Sequence, residues 1–340
     1  MKKIKVAILG IAHDHCTGKL DCMKKYPEIF EIVGIVEPNP ENVEIFGKKE
    51  SFQGLKWLSE EEFSRLDDLD AVIVESEELK LVEYAQKCVD RGFHVHIDKP
   101  AGEDIGAFET LLRTAKSKKL IVQMAYMYRY NPAIKYCMEL VKSGKHGEIY
   151  EVDAIMDTEH SKEKREWLGN FKGGIMFFLG CHMVDMVVQF MGMPKKIIPY
   201  NKKTSFNNVD AIDHGFAVFE YEKGISTVRS TSTEINGFGR RQLVICGSEG
   251  TIELKPIETN IWDQYTYMNI STRDMTKNKE YYDTKKVFPP FAISGRYDDM
   301  MIDFAAMVRG EIANPYTYEH ELAVQKAILA ACGFDIDYKN

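Results

Sequence analysis

Over its first 124 residues this chain alternates short apolar runs with longer amphipathic segments. The runs span residues 4–9, 32–37, 71–74, 95–97 and 121–124. The segments between them are too long for hairpins, and the runs are too uniformly apolar for a sheet with one face in water. This alternation is typical of a parallel sheet covered by crossover helices. It predicts the α/β class, with a Rossmann-type doubly wound parallel sheet at the amino-terminal end.

The pattern changes after residue 126. Residues 132–143 are predicted to form a helix that begins at a proline and ends before a glycine, and residues 148–156 a strand. Strand-like segments separated by glycine-containing turns fill residues 195–254, which indicates antiparallel pairing. Helical patterns over residues 296–310 and 318–332 close the chain.

These two patterns predict two domains. We expect a Rossmann domain over residues 1–124 and an α+β domain over residues 125–340. The second domain is expected to contain a large open sheet that is mostly antiparallel.

Composition excludes several classes of protein. The formal net charge of −8 disfavours a non-specific nucleic-acid binder, and no apolar stretch or leader pattern predicts membrane insertion or export. We therefore expect a soluble cytoplasmic protein without a nucleic-acid or membrane partner. The seven cysteines contain no CxxC pair, so they predict neither a disulfide framework nor a thiolate zinc site. We interpret them as small buried apolar residues.

The first apolar run ends in a glycine turn, Gly10-Ile11-Ala12-His13-Asp14-His15, which retains only the first glycine of a GxGxxG dinucleotide fingerprint. Alone, this turn is explained equally well by a simple strand-to-helix connection. The second run ends in Glu37, where a carboxylate would bind an adenosine ribose and repel a 2′-phosphate. Together the two features favour a dinucleotide site that prefers NAD over NADP.

His13 and His15 are unusual in such a turn, because an imidazole prevents the close helix packing that glycine allows. One of them could donate to a phosphate or face a substrate. Alternatively, both belong to a helix-capping polar cluster with Asp14. An HxH metal site is a third interpretation, but no obvious third ligand follows in the sequence, and we predict no metal.

Two further segments place ionisable groups at the end of an apolar run. They are His94-Val-His-Ile-Asp98-Lys99-Pro100 and Gly180-Cys-His182-Met-Val-Asp185. Ligands of open α/β sheets bind at the carboxyl ends of the strands, which is where Lys99 is expected. His182 and Asp185 share one face of a predicted helix. We expect both segments to belong to one active site.

With these residues, the chain resembles the glucose-fructose oxidoreductase and inositol dehydrogenase family (Gfo/Idh/MocA) from end to end. The resemblance rests on motifs that occur in the family's order: the Rossmann-like start, Asp70-Ala-Val-Ile-Val with Ser76, Asp98-Lys99-Pro100, Tyr128-Arg129-Tyr130-Asn131-Pro132, Gly173-Gly174, Gly180-Cys-His182-Met-Val-Asp185 and Gly247-Ser-Glu-Gly250-Thr.

The resemblance implies hydride transfer between NAD(P) and an alcohol or ketone of a sugar, polyol or related small molecule. It implies that Lys99 lies beside nicotinamide and substrate, that His182 belongs to the acid/base group and that Glu37 binds the ribose. It also implies that the open sheet carries the substrate site on one side and often an oligomer interface on the other, and we expect a homodimer or homotetramer. The residues expected to bind the cofactor are Gly10, Ile11, Ala12, His13, His15, Glu37, Ser76, Glu77, Asp98, Lys99 and Pro100.

Three departures from the family pattern bear on function. The glycine loop reads Gly10, Ala12, His15, and Ser76-Glu77-Glu78 replaces the usual threonine-proline-asparagine. The aspartate that usually lies four residues before the histidine is Phe178. The usual group of lysine, aspartate and histidine is therefore incomplete.

Residue chemistry suggests roles for the remaining groups. Oxidation of an alcohol needs a base for the hydroxyl proton, and His182 suits it because the reference pKa of histidine is about 6.5. Lys99 can hold the substrate oxygen and relay a proton if burial lowers its pKa. Asp185 either orients His182 or serves as a structural cap or salt-bridge partner.

A small polyhydroxylated substrate would find donors on Tyr128, Arg129, Tyr130 and Asn131, although hinge packing would also explain them. His160 and Trp167 could bind a sugar face, or pack a surface loop.

Three functions follow from these residues and the resemblance. The leading one is an NAD-dependent dehydrogenase or reductase acting on a sugar, inositol or sugar derivative. The second is a glycoside-cleaving enzyme that oxidises a hydroxyl transiently, eliminates and re-reduces. The third is a catalytically silent NAD or sugar sensor, which the loss of the aspartate at Phe178 would fit.

Overall fold

The computed structural model describes residues 2–259, 265–273, 282–292 and 295–338. The chain forms two compact units: Met1–Met127 with Tyr297–Leu322, and Tyr128–Arg296 with Ala323–Asn340. The first boundary lies close to the predicted one at residue 124. Tyr297–Leu322, which the sequence pattern assigned to the second domain, groups with the first unit.

The first unit contains the predicted parallel sheet, with strand order β2-β1-β3-β4-β5. Its strands are β1 (Ile4–Leu9), β2 (Phe30–Val36), β3 (Ala71–Val74), β4 (His94–Ile97) and β5 (Val122–Met124). Its helices are α1 (Cys16–Lys25), α2 (Pro40–Phe46), α3 (Glu60–Ser64), α4 (Leu81–Asp90), α5 (Ile105–Lys118) and α9 (Asp298–Val308). All five predicted strands are confirmed, with small shifts at their ends.

Local sequence explains these elements. The four residues of β3 are all buried, as expected of a central strand covered on both faces. In α4 the buried residues recur at helical spacing, which gives the helix one apolar face. Asp104 caps α5 by accepting the amide of Ala107, and Asn39 with Pro40 begins α2.

The second unit contains an eight-stranded sheet of order β13-β12-β11-β10-β6-β9-β8-β7. Its strands are β6 (Ile149–Ile155), β7 (Lys196–Pro199), β8 (His214–Glu220), β9 (Ile225–Thr231), β10 (Gln242–Gly247), β11 (Gly250–Leu254), β12 (Tyr265–Arg273) and β13 (Tyr282–Ala292). Every pairing is antiparallel except that of β6 with β9. The mostly antiparallel sheet is therefore confirmed.

Helices accompany this sheet. They are α6 (Pro132–Lys142), α7 (Lys162–Trp167) and α8 (Cys181–Met191), and α10 (Tyr318–Ala331) begins in the first unit and ends in the second. A π-helical turn, Met176–Gly180, leads directly into α8. This wide turn was not predicted, and it places Phe178 and His182 on one continuous buried segment. Among the described residues, no helix combines the length and apolar character needed to cross a bilayer.

Candidate active site

Gly10 ends β1 at a point where the backbone needs a glycine. Its φ is +85°, and a Cβ built on it would lie 2.5 Å from the backbone of Ser76. An L side chain would meet both a backbone strain and a backbone clash. The retained glycine of the turn therefore allows the segment after β3 to approach the end of β1.

Glu37, directly after β2, organises the same turn. Its Oε2 accepts the amide of Ile11 at 2.7 Å, and its Oε1 accepts the amide of Asn39 at 2.9 Å. The Asn42 amide bridges Glu37 and Glu77, donating at 3.3 and 2.8 Å. Burial raises the pKa of Glu37, while these hydrogen bonds oppose the rise. Two carboxylates therefore lie together at the end of β2.

Asp98, at the end of β4, is the most heavily bonded carboxylate of the first unit's site. It accepts the amide of Lys99 at 2.7 Å, the ammonium of Lys19, and a hydrogen bond at 3.1 Å from Nδ1 of His15. Nδ1 of His13, which accepts the His15 amide, lies 3.1 Å from Oδ2 of Asp98. Burial alone would raise the pKa of this carboxyl, but His13, Lys19 and His15 outweigh burial and hold it well below its usual range. Asp98 is thus a fixed buried anion beside Lys99.

Lys19 is the cation of this cluster, and its side chain is 0% exposed. Its ammonium also donates to Glu75, after β3, at 2.6 Å. Burial raises the pKa of Glu75 well above its usual value. Lys19 and Glu75 were missed by sequence reasoning, because a lysine on an amphipathic helix is normally exposed and its acidic partners are distant in the chain.

Burial lowers the pKa of His13 and His15, and that of His15 falls to about 4 even though Asp98 opposes the change. The two imidazoles and Asp98 have the donor types of a metal site, so the structure supplies the third ligand that the sequence did not reveal. However, the Lys19 ammonium already bonds to this carboxylate. We interpret the cluster as a hydrogen-bonded network and assign no metal to it.

The other expected cofactor residues surround this network. Ser76 donates its hydroxyl to the carbonyl of Glu77 at 3.4 Å, and Lys99 and Pro100 are buried. Helix α1 begins at Cys16 without a side-chain cap. The amide of the N-cap residue His15 donates to Nδ1 of His13 at 3.3 Å.

In the second unit, His182 lies on α8 and is 1% exposed. Its ring packs edge-on against Tyr128, with centroids 5.4 Å apart. The Tyr128 hydroxyl donates to Glu258, which also accepts from Arg241 at 2.7 Å and Arg296 at 3.2 Å. Burial raises the pKa of Tyr128, so its hydroxyl stays protonated. Glu258 and its two arginines were also missed, because nothing near them in sequence marks them.

Asp185 was expected either to orient His182 or to join a salt bridge. The structure shows the salt bridge: Arg129 donates to Asp185 through Nε and Nη2, and Gln189 donates to it at 2.8 Å. The guanidinium is buried against this carboxylate, and contact of Arg129 with a substrate stays a prediction.

Asn131 caps α6 through its side-chain oxygen, which accepts the amides of Ala133 and Ile134. Its Nδ2 donates to Thr266. Tyr130 is buried, with the Lys135 ammonium over its ring. These contacts hold the local structure, and substrate binding by Asn131 and Tyr130 stays a prediction.

Phe178 lies at the centre of an aromatic cluster. Its ring centroid is 5.0 Å from that of Trp167 and 6.3 Å from that of His160. The Lys164 ammonium is 3.6 Å from the Trp167 ring and 4.5 Å from that of Phe178. Phe178, at the position where the resemblance implies an aspartate, is thus packed among aromatic rings with a lysine ammonium over its face. Of the two residues expected at the centre of the chemistry, Lys99 belongs to the first unit and His182 to the second.

Comparison with known proteins agrees with this architecture. Residues 4–126 match the family model described as oxidoreductase family, NAD-binding Rossmann fold, and residues 134–253 match the GFO/IDH/MocA C-terminal domain. Together these matches cover more than half of the chain.

Individual relatives are distant. Scyllo-inositol 2-dehydrogenase (NADP(+)) IolW of Bacillus subtilis is 24% identical over 226 residues, which cover 65% of this chain and 60% of that protein. Aldose-aldose oxidoreductase from Caulobacter crescentus has a similar fold, with a TM-score of 0.78 at 16% identity and coverage of 97% and 96%. The 3-ketoreductase KijD10 from Actinomadura kijaniata gives a TM-score of 0.74 at 17% identity, with the same coverage.

The chain spans about half the length of several curated relatives that it matches. The two family models nevertheless follow one another in the order of the two units. This chain belongs to the Gfo/Idh/MocA family of oxidoreductases.

Proposed function

We propose that this protein is an NAD-dependent oxidoreductase that transfers a hydride between the nicotinamide and a hydroxyl or ketone of a sugar, inositol or sugar derivative. The observation that carries the proposal is the placement of Lys99 at the carboxyl end of β4, next to the buried anion Asp98. Ligands of doubly wound sheets bind at this edge. The named activities of the relatives, on inositol and aldoses, support the substrate class.

The residues of the first unit fit a dinucleotide. The uncapped start of α1 suits a pyrophosphate, since the first amides of a helix bind anions. Gly10 allows the backbone of Ser76 to approach the turn closely, because glycine has no Cβ. The remaining expected contacts are Ile11, Ala12, Ser76 and Pro100, with Glu37 toward the ribose.

We propose NAD rather than NADP because Glu37 and Glu77 lie together through Asn42. Two carboxylates at this point repel a 2′-phosphate. IolW is named as an NADP(+) enzyme, so this chain would differ from that relative.

The bound nicotinamide would supply the hydride chemistry. On the protein side, Lys99 is proposed to hold the substrate oxygen, and His182 to contact the substrate as a member of the acid/base group. Tyr128, fixed by Glu258, would support His182 by packing against its ring. Trp167 and His160 would form an aromatic wall with Phe178. The proposal includes a homodimer or homotetramer in the cytoplasm, as the resemblance and the composition imply.

The test is growth of reduced-nicotinamide absorbance on purified protein with NAD and NADP separately, against inositols, hexoses, sugar acids and aryl glycosides. Turnover with one alcohol class, lost in Lys99→Ala and His182→Ala, is the expected result. Cleavage of a glycoside without net NADH would instead indicate transient oxidation. Cofactor binding without turnover of any compound would favour a sensor.

A further inference from the structure

His15 has the geometry of one half of an acid/base pair. Its Nδ1 lies 3.1 and 3.2 Å from the two oxygens of Asp98. An ionised carboxylate only accepts hydrogen bonds, so Nδ1 carries the proton in this contact. In the neutral imidazole Nε2 then has a free lone pair. Within the described residues Nε2 makes no hydrogen bond.

His15 is also the member of this network that reaches solvent. Its side chain is 13% exposed, whereas those of His13, Lys19 and Asp98 are 0% exposed. His15 precedes α1 and shares Asp98 with the amide of Lys99. It therefore lies at the carboxyl ends of the strands, where the ligands of such sheets bind.

The surroundings hold the imidazole in place. The Tyr297 ring lies 5.7 Å from that of His15, between centroids. This tyrosine packs on α1 over Gly18, where a Cβ would come within 2.6 Å of the ring. Asp98 is in turn fixed by the Lys19 ammonium and by the Lys99 amide. A base oriented by a carboxylate that is itself anchored is the arrangement found in catalytic triads.

We propose that His15 is a catalytic acid/base of this enzyme, oriented by Asp98 and Lys19 as positioning residues. The inference rests on the proposed function. In the oxidation direction the substrate C–H bond breaks and its electron pair leaves as hydride to the oxidised nicotinamide. The O–H proton goes to Nε2 of His15, and the C–O bond becomes a double bond. In reduction the imidazolium returns that proton.

The charged groups around His15 agree with this role. Asp98, His13, Lys19 and Lys99 face it, and Tyr297 packs against it. Burial and the two lysines lower the pKa of His15, so the ring is neutral near pH 7 and Nε2 is able to accept a proton.

The first experiment measures the tautomer without any cofactor. Long-range 1H–15N NMR on full-length protein labelled at histidine, with His15→Asn to assign the signals, is expected to show a proton on Nδ1 of His15 and none on Nε2 at about pH 7. A proton on Nε2 would overturn the proposal, because that atom could not then accept one.

The second experiment measures turnover and NADH binding in the same variants. His15→Asn is expected to lower kcat by roughly 10²–10⁴-fold while the Kd for NADH changes by about twofold or less. Added imidazole should partly restore His15→Ala. His94→Asn is the matched control, because His94 lies at the opposite end of β4, and it should keep wild-type kcat.

The outcomes separate the two proposals. Full kcat in His15→Asn, with loss only in His182→Asn, would assign the base to His182 and overturn the role of His15. Absence of turnover in the wild-type protein would overturn the proposed function and the role of His15 together. Thermal unfolding of each variant distinguishes loss of catalysis from loss of folded protein.

Discussion

Arg129 and Asp185 form a buried ion pair in which Nε of the arginine lies 3.1 and 3.0 Å from the two carboxylate oxygens and Nη2 lies 2.7 Å from Oδ1. Both side chains are 0% exposed. The pair ties the segment before α6 to α8, the helix that carries His182. The orientation of that helix therefore depends on a charge pair away from water.

Breaking this pair should destabilise the second unit strongly. Arg129→Met leaves the Asp185 carboxylate buried without its guanidinium, and we expect the free energy of unfolding to fall by about 3–5 kcal/mol. Urea unfolding followed by circular dichroism measures the change. Glu166→Gln is the control, since the Lys162–Glu166 pair is about half exposed, and it should shift stability by less than about 0.5 kcal/mol. Equal changes in the free energy of unfolding in the two variants would contradict a strong stabilising role for the Arg129–Asp185 pair.

Gly10→Ala should remove the dinucleotide site. The alanine would meet the Ser76 backbone at 2.5 Å, in addition to the strain of its positive φ. Gly92→Ala separates these effects, because Gly92 also has a positive φ but faces open space. We expect Gly92→Ala to cost about 1–2 kcal/mol of stability and to retain NADH binding. Gly10→Ala should lose NADH binding as measured by ligand fluorescence, and retained binding would contradict the close approach.

Glu37→Gln should weaken the proposed preference for NAD. The amide keeps the size of the side chain but removes the charge that repels a 2′-phosphate. We expect the ratio of NADP to NAD dissociation constants to fall about tenfold, equivalent to about 1.4 kcal/mol. Titration calorimetry with both cofactors measures the ratio. Glu41→Gln, an exposed neighbour on α2, should leave it unchanged. Tighter binding of NADP than NAD by the wild-type protein would refute the role given to Glu37.

His96 should make stability depend on pH. Burial, with help from Lys19, lowers its pKa to about 3 in the folded protein, against about 6.5 when unfolded. As pH falls below 6.5 the unfolded chain binds a proton that the folded protein does not, so the free energy of unfolding decreases. When the pH falls from about 7 to about 5, the titration of His96 lowers the free energy of unfolding by about 2 kcal/mol.

The matched variant is His96→Gln, which lacks this titration. Its stability should decline less than that of the wild-type protein over the same pH interval. Denaturant unfolding at both pH values gives the change in unfolding free energy for the wild-type protein and for His96→Gln. Parallel decline in the two proteins would show that His96 is not buried in its neutral form.

Parts of this structure follow from local sequence, and other parts depend on distant contacts. The apolar run of β3 and the proline at the start of α6 mark their elements without tertiary information. The burial of Lys19 depends instead on Glu75 and Asp98, which meet it only after three strands align. The pairing of Arg129 with Asp185 likewise depends on how α8 packs, so sequence spacing could suggest only that Asp185 and His182 share a helix face.

The first unit includes a segment from late in the chain. In Tyr297–Leu322, the Met300 carbonyl accepts a hydrogen bond from Gln123, Asp298 accepts from Tyr26, and Phe304 packs against His96. During synthesis, a ribosome must therefore extend the chain to residue 322 before the nucleotide-binding unit has all its parts. That unit is completed only after most of the second unit has been made, and a fragment ending at residue 127 would expose the buried face that α9 normally covers.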